Sequence, residues 1–582
     1  MSLYKELEKE IKKLIEQAGF PEENISLTTS NRKDLGEYQL NDAMQLVKIY
    51  HTNPREIANS IVKELEKDNR YTNINIAGPG FINFSLSEEY KVEILNKMHE
   101  DLYNNIDKKA KKKIVIDYGG ANVAKALHVG HLRSANIGEA LKRLANLVGY
   151  EAIGDAHLGD YGRPLGLVVL EIKKLYPNLP YFDENYTGDY TNIDLPITNA
   201  DLEKIYPEAS RKAKIDEDYL NEARDITKKI QSHTKGYYDI WKRIVEISKA
   251  DIKSVYSDLN VNFELWYGES DAMEYFPELE KIYCEKHLLT SSEGAEVVEV
   301  GKDTDKIEIP PLLFIRSNGT VSYETTDLAT ILQRRKEINP DEMWYVVDAR
   351  QSLHFEQVFR AAKKANLVDD KTNLEHIGFG TMNGKDGHPF KTRDGGVMPL
   401  KSLIDMVNEE TLKKITNQSM TEEEKKKTSK IVAIAALKYA DLLPYRETDY
   451  IFDPTKFSDL EGKTGPYLLY STIRMKSLLN KAKDLKQEKV IKLSSKTEED
   501  IVLNILNLST VINKAIDTKS LNEIADYLFT LTSLYNKFYA ENKVLTEEDK
   551  AKQESWLVLT KVVYDLNMLL LNTLGIDVPE KM

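Results

Sequence analysis

The chain has 582 residues, of which 41% are hydrophobic and 30% are charged, with a formal net charge of -14 at pH 7. This composition is typical of a soluble protein with about three or four domains. No run of about eighteen apolar residues is present, so no membrane-spanning helix is expected. A single cysteine, Cys284, excludes a disulfide framework and fits a reducing cytoplasm. The acidic balance argues against a protein that coats nucleic acid nonspecifically.

Residues 1–107 are predicted to form a small α+β module. Apolar periodicity predicts three helices, and period-two alternation predicts two strands around the tight turn Gly78-Pro79-Gly80. The predicted helices cover 3–18, 38–49 and 54–65, and the predicted strands cover 73–77 and 81–84. A basic run over 108–113 is expected to link this module to the next domain.

Residues 108–425 alternate apolar strands with amphipathic helices, a pattern that predicts a Rossmann-type α/β domain around a parallel sheet. The helix that follows His131 carries its apolar residues on one face and ends at Gly149. Charged helical sequence over about 200–260 interrupts the alternation and is predicted to be a helical insertion. The predicted strands cover 114–116, 150–154, 312–315 and 344–347.

Residues 426–582 contain almost no strand signal and are predicted to form an all-α helix bundle. Segments with helical apolar periodicity cover 431–443, 467–485, 497–516, 521–539 and 554–574. The predicted architecture is therefore a Rossmann-type domain between an N-terminal α+β module and a C-terminal bundle.

The most informative segment is 117–131, where an apolar strand runs into a glycine pair and a helix opens at His128-Val-Gly-His131. Histidines at i and i+3 share a helix face. At a first turn they lie beside free N–H groups and the positive end of the helix dipole. Gly130 leaves room for a base or a phosphate. The segment predicts an ATP site without a P-loop. The alternatives are a chance pair, a core histidine or half of a metal site. Zinc would need further Cys or His ligands at suitable spacing, and the sequence shows no such cluster.

Several further strings carry a family likeness. Residues 122–134 resemble the first signature of class I aminoacyl-tRNA synthetases, in the form found in arginyl-tRNA synthetases, and the resemblance continues to the last residue. The other matching strings are Gly159-Asp-Tyr-Gly162, Tyr323-Glu-Thr-Thr-Asp327, Gln351-Ser-Leu-His354, residues 384–396, Phe452-Asp-Pro454, Thr464-Gly-Pro-Tyr467 and residues 575–582.

The resemblance implies that ATP activates arginine, which is then transferred to the 3′ end of tRNA(Arg), with AMP and pyrophosphate as products. The mobile Lys-Met-Ser-Lys loop of many class I enzymes is degenerate here, because the corresponding residues read Phe390-Lys-Thr-Arg-Asp-Gly-Gly. Lys125 is implied to compensate for it. The implied catalytic and ATP-binding residues are Lys125, His128, Gly130, His131, Lys391 and Arg393.

A site for arginine calls for a fixed carboxylate, because the guanidinium donates a planar fork of N–H bonds. Asp327 lies one helical turn after Tyr323, so both side chains can face one pocket, and the resemblance makes them the guanidinium readers. A helix cap is the other interpretation of Asp327. The resemblance adds Asp117, Asn122 and Gln351 as arginine contacts.

Two departures from the family pattern stand out. Thr326 occupies a position where many relatives carry arginine. Gly119-Gly120 fills a stretch where relatives often carry a serine, which puts one hydroxyl contact to the substrate in doubt.

The likeness also implies two tRNA-binding surfaces, one for the D-loop corner in the N-terminal module and one for the anticodon in the bundle. The implied contacts are Phe81 and Asn83 in the module, and Tyr467, Arg474, Tyr539 and Met582 in the bundle. Mg²⁺ is expected to accompany ATP, with no dedicated metal site and no structural zinc. A cytoplasmic monomer is expected. The alternatives are a class I synthetase for another amino acid and a non-catalytic RNA-binding relative.

Overall fold

A computed structural model describes residues 2–21, 25–30, 32, 34–388, 390 and 398–582. Their buried hydrophobic residues form three clusters. The largest runs from the N-terminal module through the helix after His128 into the C-terminal bundle. The second lies mainly in the helical insertion, and the third joins a small antiparallel sheet to the parallel sheet. Within these residues, none of the helices combines the length and apolar composition needed to cross a membrane.

The N-terminal module packs helices on a four-stranded antiparallel sheet of order β1-β2-β4-β3. Its elements are α1 (Leu3–Gln17), β1 (Leu27–Thr29), β2 (Tyr38–Leu40), α2 (Asp42–Tyr50), α3 (Pro54–Leu65), β3 (Tyr71–Ala77), β4 (Phe81–Leu86) and α4 (Glu88–Glu100). The predicted helix over 38–49 is wrong at its start, because β2 pairs with β4 there. Tyr38 and Leu40 are buried and Gln39 is not, which is the period of two of a strand. Helix α4 has no counterpart among the predicted elements.

The central domain is built on a parallel sheet of order β11-β10-β5-β6, as predicted. The sheet and its helices are β5 (Lys113–Asp117), α5 (Val129–Leu147), β6 (Glu151–Asp155), α6 (Arg163–Leu175), α12 (Tyr323–Glu337), β10 (Glu342–Tyr345), α13 (Ser352–Lys364), β11 (Asn373–His376) and α14 (Leu400–Lys414). The short strand β12 (Met382–Asn383) lies outside this sheet and pairs in parallel with Tyr450–Ile451. The inserted elements are α7 (Asn199–Ile215), α8 (Glu217–Gln231), α9 (Tyr237–Asp258), α10 (Glu269–Ala272), α11 (Phe276–Glu285), β7 (Leu289–Ser292), β8 (Ala295–Val298) and β9 (Leu312–Ile315).

The expectation that residues 312–315 extend the parallel sheet is wrong. They form β9, which pairs antiparallel with β8 in a separate three-stranded sheet of order β7-β8-β9. A short apolar run predicts that a strand exists, but the pairing partner is set by tertiary packing.

The C-terminal region is the predicted helix bundle. Its elements are α15 (Glu422–Leu442), β13 (Tyr450–Ile451), α16 (Pro454–Phe457), α17 (Gly465–Lys481), α18 (Lys496–Leu506), α19 (Leu508–Thr518), α20 (Leu521–Glu541) and α21 (Lys550–Thr573). The single helix predicted over 497–516 is two helices, because Asn507 ends α18 and precedes α19. The boundary predicted at 425 falls in the first turn of α15.

The N-terminal module is held against the bundle by a buried polar cluster around Asp107. This carboxylate accepts hydrogen bonds from the Ser2 N–H (2.9 Å), the Ser509 hydroxyl (2.8 Å) and the Asn513 amide (3.0 Å). Although burial opposes ionisation, these donors lower the pKa of Asp107 to about 2. The two ends of the chain are therefore joined across a polar contact.

Candidate active site

The histidine turn stands at the carboxyl end of β5, where ligands bind in open α/β sheets. His128 is the N-cap of α5: its Nδ1 accepts the N–H of Gly130 at 3.1 Å, and Nδ1 of His131 accepts the N–H of His128 at 3.0 Å. The two ring centroids are 3.9 Å apart. A Cβ on Gly130 would lie 2.9 Å from Cε1 of His128, so the missing side chain is what lets this ring fold over the helix end.

Both imidazoles are uncharged donors in this arrangement. Burial, followed by the charge of Lys125, lowers the pKa of His128. Burial and then His128 lower the pKa of His131 to about 3. Because Nδ1 of each neutral ring accepts a hydrogen bond, the proton is on Nε2. The turn therefore presents two Nε2–H donors at a helix N-terminus, which suits phosphate oxygens.

The glycine pair before the histidines is fixed by buried hydroxyl groups. Gly119 has a φ of 66°, in the left-handed region that favours glycine. Its N–H donates to the Ser134 hydroxyl at 2.8 Å, and its carbonyl accepts the Tyr256 hydroxyl at 2.5 Å. A Cβ on Gly120 would lie 2.8 Å from the carbonyl oxygen of His157. Gly119-Gly120, which stands where relatives often carry a serine, therefore forms a closely packed backbone turn.

The residues that follow the second signature loop lie beside the histidine turn. Lys391 and Arg393 lie outside the described residues. On either side of them, the Met398 N–H donates to the carbonyl of Phe390 at 3.2 Å. Pro399 pairs with His128 in a β-bridge, and the Leu400 N–H donates to the carbonyl of Leu127 at 2.8 Å. The loop is therefore anchored next to the helix that carries the histidines.

Helix α12 presents one polar stripe toward the same sheet edge. Tyr323, Asp327, Thr330 and Arg334 recur at spacings of four, three and four residues, so they share one helix face. Arg334 reaches the ends of β5 and β6, and Thr330 lies 3.3 Å from Nε2 of His157, which follows β6. The acid–phenol pair is thereby placed along the edge that carries the histidine turn.

The predicted guanidinium readers come together around a histidine. Nε2 of His354 lies 2.5 Å from Oδ2 of Asp327, and the Tyr323 ring stacks on His354 with centroids 4.8 Å apart. Tyr323 is 51% exposed, so its ring borders open space. The helix-cap interpretation of Asp327 is wrong, because Ser322 is the N-cap of α12.

A second carboxyl group stands beside Asp327 and was not among the predicted residues. Glu269 is the first residue of α10. Burial, followed by the negative charge of Asp327, raises the pKa of Glu269 to about 8. A carboxyl group whose pKa is raised by burial and by a neighbouring carboxylate marks a site that gains from a cation. His354 could have been found from the Gln351-Ser-Leu-His354 string, whereas Glu269 has no signal in its charged surroundings.

Two more carboxylates, Asp117 and Asp155, lie at the ends of β5 and β6, and both contact the guanidinium of Arg334. Nη2 of the buried Arg334 donates to Oδ2 of Asp117 (2.7 Å) and Oδ2 of Asp155 (2.6 Å). Oδ1 of Asp117 has no hydrogen bond from the residues that the structure describes. Asp117, Asp155 and His157 bring possible metal ligands within 4.8 Å of one another. Because the guanidinium already lies between the carboxylates, this donor set does not call for a metal ion.

The remaining predicted arginine contacts lie at the exposed rim. Asn122 pairs with Gly159 in a β-bridge, and a Cβ on Gly159 would lie 2.3 Å from Oδ1 of Asn122. Gln351 is exposed and immediately precedes α13, the helix that carries His354. Both side chains are accessible to a ligand in the cleft.

Three of the predicted tRNA contacts in the bundle meet at one place. The Asn536 amide donates to the Tyr467 hydroxyl at 2.7 Å and accepts a hydrogen bond from Arg474. The Arg474 guanidinium lies over the Tyr539 ring, 4.5 Å from its centroid. Met582 lies at a neighbouring cavity of about 180 Å³. The residues lining this cavity are Thr411, Lys414, Ile415, Thr416, Asn417, Val432, Ser458, Leu460, Tyr470 and Met582.

The two predicted contacts in the N-terminal module differ in exposure. Phe81 is half-buried at the start of β4, close to the Gly78-Pro79-Gly80 turn. Asn83 is fully buried, and neither its Oδ1 nor its Nδ2 has a partner. In this conformation the Asn83 amide cannot reach a nucleotide, so direct reading by Asn83 would require the module to open.

The parallel sheet, the paired histidines at the end of its first strand and the helix bundle behind it define a class I aminoacyl-tRNA synthetase. Residues 93–454 match the family of tRNA synthetases class I (R), catalytic domain. Residues 3–86 match the arginyl tRNA synthetase N terminal domain, and residues 468–582 match the DALR anticodon binding domain. The chain belongs to the arginyl-tRNA synthetase family.

Relatives span its whole length. An arginine–tRNA ligase of Agathobacter rectalis is 42% identical and covers 99% of each chain. One of Alkaliphilus oremlandii is 41% identical and covers 100% of both. Among solved structures, the arginyl-tRNA synthetase of Plasmodium falciparum has a TM-score of 0.78 at 24% identity over 99% of each chain. That of Thermus thermophilus has a TM-score of 0.75 at 20% identity over 100% of both. These two structures confirm the fold.

Proposed function

We propose that this protein is an arginine–tRNA ligase that forms arginyl-adenylate from arginine and ATP and then charges tRNA(Arg). The observation that carries the specificity is the pocket in which Asp327 and Glu269 stand together beside Tyr323 and His354. Paired carboxyl groups with an aromatic border suit a planar cation with an aliphatic stem. An apolar or neutral substrate would bring no positive charge to these two acids.

On the ATP side, we assign the triphosphate to the histidine turn. The Nε2–H groups of His128 and His131 would donate to phosphate oxygens, and Gly130 keeps the approach to the helix N-terminus open. Lys125 would add positive charge, and Lys391 and Arg393 would add more from the loop anchored at Pro399. When the arginine carboxylate attacks the α-phosphorus, the bond to the bridging oxygen breaks and pyrophosphate leaves. These donors would stabilise the charge that develops at that phosphorus.

On the arginine side, the guanidinium would bind Asp327, Glu269 and the Tyr323 hydroxyl. The α-amino group would face Oδ1 of Asp117, because Oδ2 is already taken by Arg334. Asn122 and Gln351 would contact the polar end of the amino acid from the rim. The carboxylate would then point toward the histidine turn, where the α-phosphate lies.

In the second step, a ribose hydroxyl of the terminal adenosine attacks the carbonyl carbon of the adenylate, and AMP leaves. We assign the anticodon loop to the group of Tyr467, Arg474 and Tyr539 and to the cavity beside Met582. Aromatic rings and a guanidinium plane accept unstacked bases. The D-loop corner would meet Phe81, with Asn83 contributing once it is uncovered.

The accompanying groups follow from this chemistry. Mg²⁺ would enter with ATP, held by phosphate oxygens and water rather than by a protein cage. We place the enzyme in the cytoplasm as a monomer, and we keep domain boundaries at 107/108 and 425/426 with the insertion at about 200–260.

A charging assay tests the proposed function. The purified protein is incubated with ATP, total tRNA and each of the twenty labelled amino acids in turn. We expect acid-precipitable label with arginine alone. Label from another amino acid would support a synthetase of different specificity, and no label at all, with ATP still bound, would support a non-catalytic relative.

A second assay asks whether activation needs tRNA, which the family likeness implies. Pyrophosphate exchange into ATP is followed with arginine, in the presence and absence of tRNA. Strong exchange without tRNA would contradict this requirement while leaving the ligase assignment intact.

A further inference from the structure

The turn that carries Lys125 is built into the helical insertion and not only into the parallel sheet. Val123 and Ala124 are buried, and both belong to the hydrophobic cluster of the insertion and not to that of α5. This cluster draws its other members mainly from α6 to α9, with Tyr206 of α7 packed against it. The backbone that presents Lys125 is thus held on one side by the insertion.

Helix α9 fixes the least favourable residue of that turn. Ala124 has a φ of 61°, a left-handed conformation that L-residues rarely adopt. Its N–H donates to the hydroxyl of Ser248, which is 2% exposed, at 3.0 Å. The preceding N–H, of Val123, donates to the carbonyl of Gly159 at 3.0 Å. A buried hydrogen bond from the insertion therefore stabilises the residue next to Lys125 in its strained conformation.

Helix α7 contacts the side-chain end of Lys125. The Lys125 ammonium lies over the Tyr206 ring, 4.6 Å from its centroid. Within the described part of the chain, no carboxylate forms an ion pair with this ammonium. A carboxylate would neutralise the charge, whereas an aromatic face attracts a cation without adding a negative charge. The ammonium is therefore placed beside the histidine turn with its charge still available for a phosphate.

We propose that the helical insertion positions Lys125 for ATP, with Tyr206 holding the ammonium and Ser248 holding the backbone. Both are positioning residues, since they would act through Lys125 and need not touch the substrate. This inference rests on the proposed role of Lys125 in binding ATP. It gives residues 199–258 a part in the reaction beyond packing.

Pyrophosphate exchange with tRNA present tests the inference in the full-length protein. Tyr206→Leu should raise KM for ATP about threefold to tenfold, with KM for arginine unchanged. Tyr206→Phe keeps the ring and should restore the parental KM. Ser248→Ala should raise KM for ATP in the same direction, because it leaves the Ala124 N–H buried without an acceptor.

Tyr238→Leu is the matched control. Tyr238 packs against the same hydrophobic cluster, and its ring lies 4.7 Å from the ammonium of another lysine, Lys242. Losing this ring removes a similar contact without affecting Lys125, so KM for ATP should stay at the parental value. An increase equal to that of Tyr206→Leu would attribute the effect to general loosening of the insertion and would overturn the inference.

A double-mutant cycle separates the inference from the function on which it rests. Tyr206→Leu should have no further effect on KM for ATP in a Lys125→Ala background. The same increase in both backgrounds would overturn the positioning role. If Lys125→Ala alone changes neither KM for ATP nor kcat, the proposed role of Lys125 fails, and the inference fails with it.

Discussion

The two sides of the cleft are prepared for substrates of opposite charge, and they achieve this in different ways. The ATP side uses neutral imidazoles, helix N–H groups and Lys125, which forms no ion pair with an acid among the described residues. The arginine side concentrates carboxyl groups, namely Asp327, Glu269 and Asp117. The sign of each side matches its ligand, since ATP is an anion and the arginine side chain is a cation.

The arginine side keeps its balancing charge in one place only. The buried Arg334 lies between Asp117 and Asp155, whereas among the described residues neither Asp327 nor Glu269 forms an ion pair with a lysine or an arginine. Asp327 pairs with His354 instead. Asp155 therefore belongs to the architecture of the sheet edge, whereas Asp327, Glu269 and Oδ1 of Asp117 are left for the substrate.

Removing the charge of Asp327 should have the largest effect. Asp327→Asn keeps the shape of the side chain but leaves the guanidinium without its charged partner in a partly buried site. We expect kcat/KM for arginine to fall about a thousandfold, equivalent to about 4 kcal/mol. Steady-state pyrophosphate exchange measures this. KM for ATP serves as the internal control and should stay unchanged, while an equal loss for both substrates would contradict the division of the cleft.

Replacing Arg334 should lower the stability of the fold more than it weakens arginine binding. Arg334→Met removes the charged partner that Asp117 and Asp155 share in a largely buried site, so we expect the free energy of unfolding to fall by about 3 kcal/mol or more. Chemical denaturation followed by circular dichroism measures it. Arg335→Met is the control, because Arg335 pairs with the half-exposed Asp369 and such surface pairs contribute little to stability. Equal losses in both variants would place Arg334 among ordinary surface cations.

The two histidines should contribute to catalysis as hydrogen-bond donors and not through positive charge. His131→Ala removes the Nε2–H donor, and we expect kcat to fall about a hundredfold. Gln places an N–H near the position of Nε2, so His131→Gln should retain more activity than the alanine variant. Burst-phase measurement of adenylate formation compares them. Identical losses in the two variants would indicate that His131 acts by capping α5 alone.

Much of this division could be predicted from the sequence, because it depends on local spacing. The strand β5, helix α5 and the histidine pair lie within one short segment, and Tyr323 and Asp327 are neighbours on one helix turn. Helical periodicity likewise predicted the bundle. Periods of 2 and 3.6 are properties of adjacent residues, so they survive in any fold that buries one face.

What could not be predicted depends on residues that are distant in the chain. Glu269 becomes part of the arginine side only because α10 is folded against α12, and Arg334 becomes a counter-ion only where β5 and β6 end together. The placement of β9 in a separate sheet has the same origin. The short strand β2 could not be separated from the helix that follows it, because an apolar–polar–apolar pattern over three residues also fits the start of an amphipathic helix.

Glu269 offers the smallest and most specific test, because its ionisation should follow the pH. Burial and Asp327 raise its pKa to about 8, so near pH 7 the carboxyl group of the empty pocket is mostly protonated. A guanidinium favours the ionised form, and binding should therefore release a proton. As pH rises from about 7 to 8.5 the ionised fraction rises about eightfold, and KM for arginine should fall by up to that factor.

Rising pH should improve arginine binding but lower the stability of the free protein. The two measurements can therefore be told apart. The folded pKa lies above the ordinary carboxyl value of 4.5, so the unfolded chain ionises first and the free protein loses stability as pH rises from about 4.5 to 8. Glu269→Gln should remove both trends, leaving KM for arginine flat across this range and higher than the parental value at pH 8.5. If the fall in KM persists in Glu269→Gln, the titrating group is elsewhere. The guanidinium would then be held by Asp327 without a second acid.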